Sequence, residues 1–121
     1  MCPPSATANM GVLALERLLG GPSDWSGLAE DLAKHWPDAP VGEMILALMS
    51  ASRSIEKNFR VGGPAHEGAV HGYRLAGLLG MDLYALQVVG ITAPLGRDLT
   101  AWWHVETSAA SAQRTTAREA G

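Results

Sequence analysis

A chain of 121 residues with 47% hydrophobic content has the length of one domain and the apolar material for one core, which excludes two full domains. Charged residues are only 17%, below the roughly 25% of ordinary soluble domains. The net charge of −3 argues against a sequence-independent grip on nucleic acid, and the single cysteine, Cys2, excludes an intrachain disulfide or a cysteine-rich zinc site.

The opening residues lack the basic segment and apolar run of a secretory signal, so residues 1–8 are expected to be a flexible end and the chain cytoplasmic. Between glycine and proline breaks, every segment carries apolar residues at helical spacing. The predicted class is all-α: a compact bundle of five or six helices over residues 9–106, then a flexible tail over 107–121.

The first helix is expected from Asn9 to Leu19, capped by Thr7 or Asn9, with Met10, Val12, Leu13 and Leu15 apolar and Gly20-Gly21-Pro22 as its stop. A second should run from a Ser23 or Asp24 cap through Trp25, Leu28, Ala29 and Leu32 to Trp36, where Pro37 ends it. The third starts at Pro40. It carries Val41, Met44, Ile45, Leu48, Ala51, Ile55 and Phe59 as its buried stripe, with Glu43 and Lys57 complementing the helix dipole.

Gly62-Gly63-Pro64 then restarts the chain into a fourth helix, expected to reach Leu79. Asp82 is the expected cap of a short fifth helix to Val89, closed by Gly90. Thr92 and Pro94 should open a sixth, whose apolar face holds Leu95, Leu99, Trp102 and Trp103. The most apolar window, Leu75 to Leu95, is too interrupted by Gly, Asp82, Gln87 and Pro94 for a membrane span.

The most informative feature lies in the fourth helix, where Gly68, Gly72, Ala76 and Gly80 recur every four residues and share one side. Each interior glycine costs about 0.8 to 1.0 kcal/mol relative to alanine, so three need an offsetting gain, most simply a second backbone in close approach. That backbone is expected within the chain or across a homodimer seam. Trp102 and Trp103 point about 100° apart on a helix, so one indole is a candidate anchor for a second copy or another protein.

Three alternatives use overlapping residues. Residues 75–89 fit a helix-turn-helix, with Ala76, a turn at Gly80 and apolar Leu86, but the second helix offers only Tyr84 and Gln87 as neutral polar readers of bases. Glu67, His71 and Arg74 lie along one side of the fourth helix as a candidate polar site for a small molecule or metal. His66 and His71 diverge by about 140° around that helix, so the two-histidine zinc motif is not formed, and a site from His35, His71 and His104 needs three helices to converge. Lys57, Arg60 and Gly63 form a candidate anion site at a helix amino end, weakened by Pro64 and Glu67.

No residue pattern calls for a cofactor, and no Ser/His/Asp or Cys/His arrangement stands out. The sequence therefore points to action by binding rather than covalent chemistry, with a homodimer or another protein as partner and no membrane.

Overall fold

The computed structural model describes residues 6–59 and 62–107. Among them are six helices: α1 (Ala6–Leu19), α2 (Pro22–Trp25), α3 (Leu28–His35), α4 (Val41–Asn58), α5 (Pro64–Val88) and α6 (residues 96–107). The described part is all-α, with one isolated bridge between Pro40 and Leu95. The expected flexible ends fall mostly outside the described residues, although residues 6–8 and 107 are helical.

The core follows from helical spacing. Met10, Ala14 and Leu18 form the inner line of α1, and Val41, Met44, Leu48 and Ile55 that of α4; all are buried. α4 and α5 make the main pair, and α1 packs against both. Val12 and Phe59, expected inside, stand out into solvent at 57% and 45% exposure. Residue 12 lies between the inner positions 10 and 14, and Phe59 follows the end of α4 in extended backbone.

α1 starts earlier than expected, at Ala6, so residues 7 and 9 lie within the helix and not at its entrance. The expected second helix is two helices. Gly27 adopts φ 73, a left-handed conformation that glycine takes without a Cβ clash, and it separates α2 from α3. Arg17 fixes that break by donating to the carbonyls of Asp24 and Ser26 and, at 2.6 Å, to the Asp31 carboxylate. The hydrogen bond from Arg17 holds the Asp31 carboxyl below its ordinary pKa.

The expected fourth and fifth helices are one. α5 runs unbroken through Gly80 and Asp82, because Ala76, Leu79 and Leu86 continue a buried line across the expected turn. It stops where Gly90, at φ 106, donates to Gln87 O while Ile91 donates to Leu86 O, the paired bonds of a Schellman cap. For α6 the cap is not Thr92: Asp98 accepts from the Leu95 amide at 2.8 Å, reaching back to the helix entrance. A backbone clasp holds this entrance to the start of α4, through Val41 N to Pro94 O, Gly96 N to Ala39 O and Arg97 N to Pro37 O.

Candidate functional site

The small-residue line on α5 divides in two. Gly68, Gly72 and Ala76 are buried. A Cβ at Gly68 would collide with the Leu18 carbonyl, and one at Gly72 would collide with Ser52 Oγ and sit 2.8 Å from Leu18 Cδ1. The close backbone approach is therefore to α1 of the same chain, while the Ser52 side chain of α4 fills the space at Gly72. Ser52, fully buried under Gly72, has no hydrogen-bond partner for its hydroxyl among the described residues. At Gly80 a Cβ would meet nothing within 4 Å, so this glycine does not belong to the packed seam.

The helix-turn-helix over residues 75–89 is not formed, since these residues lie in continuous helix up to Val88 and no turn occurs at Gly80. Of Glu67, His71 and Arg74, no two are joined by a hydrogen bond or ion pair among the described residues. Glu67 and Arg74 are exposed, whereas His71 turns away to stack on Trp25, with ring centroids 4.8 Å apart and planes at 18°. No group of three His, Cys, Asp or Glu that could hold a metal ion occurs among the described residues, so His35, His71 and His104 do not form a site. Arg60 of the candidate anion site lies outside the described residues; Lys57 is exposed and Gly63 caps α5 with extended backbone.

Two surfaces remain. The first is a cleft of about 420 Å³ between the α2–α3 connection, α5 and α6. Leu28, Leu75 and Leu79 contribute its apolar wall, and the indoles of Trp25 and Trp103 flank it. Both indoles are held by their N–H groups: Trp25 donates to Leu18 O and Trp103 to Asp82 Oδ2, each at 2.9 Å. Trp102 also packs against the core, its indole nitrogen enclosed without a hydrogen-bond partner among the described residues.

The charges of the cleft are one-sided. Its lining includes the acidic residues Glu30 and Asp82 and no lysine or arginine. Burial, followed by the positive charge of Arg74, holds the His71 imidazole below its ordinary pKa of 6.5, so His71 is neutral at pH 7. Spacing within any single segment could not reveal this cleft, because its walls come from three.

The second surface is the outer face of α5. Val70, Met81, Tyr84 and Val88 are exposed, and with Gly77 they lie within about 40° of one line along the helix at 100° per residue. Leu78 stands beside them, half exposed. Gly77 has nothing within 4 Å of where a side chain would start. α5 thus has apolar residues on both sides, which the sequence reading missed by ending the helix at Leu79.

Comparison with protein-family models, curated proteins and solved structures yields no match. No helix among the described residues is long and apolar enough to cross a membrane.

Proposed function

We propose that this chain is a non-enzymatic helical module that self-associates in the cytoplasm, with the outer face of α5 as its seam and a second copy as its partner. The observation that carries this reading is the exposed line of Val70, Met81, Tyr84 and Val88, at 46, 70, 71 and 67% exposure, on the longest helix of the fold. Isolated exposed apolar residues are ordinary, but four of them along one line of a helix, with only Arg74 and Gly77 between Val70 and Met81, mark an interaction surface.

The pattern suits a copy of itself. In an antiparallel pair with its two-fold axis level with residue 79, Val70 of one chain lies opposite Val88 of the other. Met81 then lies opposite Gly77, so a prominent knob meets the open gap, and this happens twice. Residues 108–121 contain no apolar side chain larger than alanine and offer no comparable cover.

Sedimentation equilibrium tests the proposal. The wild type is expected to dimerise reversibly, and Met81→Glu to shift it to monomer by weakening association at least ten-fold without loss of helix content. A wild type that stays monomeric at several hundred micromolar overturns it.

A further inference from the structure

We infer that the cleft between Trp25, α5 and Trp103 is a binding site for a small organic cation, an amine with a compact aromatic or aliphatic body. Its volume of about 420 Å³ falls within the range of ligand sites, and its wall of leucines with two flanking indoles suits an apolar body. Polar groups then choose the head. Asp82 is held in place by the Trp103 indole, which occupies one carboxylate oxygen and leaves acceptor capacity on the other. Glu30 adds a second negative charge to the lining, with no lysine or arginine there to neutralise either.

An anionic ligand would meet two carboxylates in a partly apolar setting, which is repulsive and poorly screened. A neutral ligand would gain only the apolar contact. A protonated amine gains both, and an indole face adds attraction where the ammonium passes over it. His71, stacked on Trp25 and neutral, contributes shape without opposing charge.

Three probes with one body and different heads test this: 4-phenylbutylammonium, 4-phenylbutan-1-ol and 4-phenylbutanoate, titrated by calorimetry and by the indole N–H resonance of Trp103. The cation is expected to bind at least ten-fold more tightly than the alcohol, and the carboxylate most weakly. Asp82→Asn keeps an acceptor for Trp103 and should remove most of the cation's advantage while leaving the alcohol unchanged. If that variant fails to fold, Glu30→Gln, at an exposed position, should lower the cation's advantage several-fold.

Leu78 and Met81 border both the cleft and the proposed dimer seam, so the deciding titration uses Val88→Lys, which alters the seam outside the cleft. Cation preference in that variant supports the inference whatever the oligomeric state. Equal binding of the three probes, no binding at millimolar concentration, or a preference untouched by the folded charge-removing variant overturns it.

Discussion

At Gly68 and Gly72 the missing side chains are replaced by atoms of α1 and α4, whereas at Gly77 and Gly80 on the same helix the space beside the backbone is open. All four residues carry the same intrinsic cost in a helix. In the first half of α5 the cost is offset inside the domain by close packing against Leu18 and Ser52. In the second half nothing in the described chain offsets it, and a glycine that stabilises nothing locally directs attention to an external contact. The contrast separates a small residue kept for folding from one available for association.

The largest expected effect breaks the inner half. Gly72→Leu should destabilise the fold by about 1 to 3 kcal/mol, because Ser52 and Leu18 leave no room for a side chain. Thermal unfolding measures it, and an unchanged melting temperature would show that the approach is looser than described. Gly68→Ala should also destabilise despite its better helix propensity, since the obstacle there is the backbone carbonyl of Leu18.

The opposite sign is expected in the outer half. Gly80→Ala meets nothing and should stabilise the chain by about 0.5 to 1 kcal/mol through reduced freedom of the unfolded state. A melting temperature that falls on this substitution would remove the contrast between the two halves.

A smaller effect concerns the wall between them. The native state takes up the His71 proton less readily than the unfolded chain, whose value is the ordinary 6.5. Its contribution is therefore fully present above pH 6.5, and stability is lost as pH falls through 6.5 until the native value is passed. His71→Phe, which can keep a ring against Trp25, should flatten melting temperature against pH between 7.5 and 5. The corresponding loss from Asp31 begins lower, as pH falls through its ordinary 3.8.

Much of the fold was legible because spacing and punctuation agreed. α4 carries an uninterrupted apolar stripe after Pro40, and Gly90 marks the end of α5 where a left-handed residue was needed. Where they disagreed, tertiary contacts decided. Gly27 breaks a segment whose apolar spacing runs on from Trp25 to Leu28, because Arg17 grips the carbonyls exposed by the break. Gly80 fails to break one, because Leu79 and Leu86 are both buried in the same core.

The small-residue line was visible as a contact surface, but which half served the domain depends on where α1 ends, and local spacing carries no such information. The cleft was less legible still. His71 and Trp103 each stood out, yet the stack with Trp25 and the bond to Asp82 join residues far apart in the chain. Glu30, Asp82 and Trp25 gave no signal of a site beforehand: Asp82 read as a helix cap, Trp25 as an apolar helix position, and Glu30 stood in no motif.

The clasp between the start of α4 and the entrance to α6 bears on the order of assembly. Its bonds join Pro37, Ala39 and Val41 to residues 94–97, enclosing all of α4 and α5. Closing so long a loop before its interior has formed carries a large entropy cost, while closing it after α4 and α5 have paired costs far less. α6 is thus placed as a late addition, latched by main-chain bonds once the central pair exists. Because α6 carries Trp103, the indole wall of the cleft is completed only when that latch has closed.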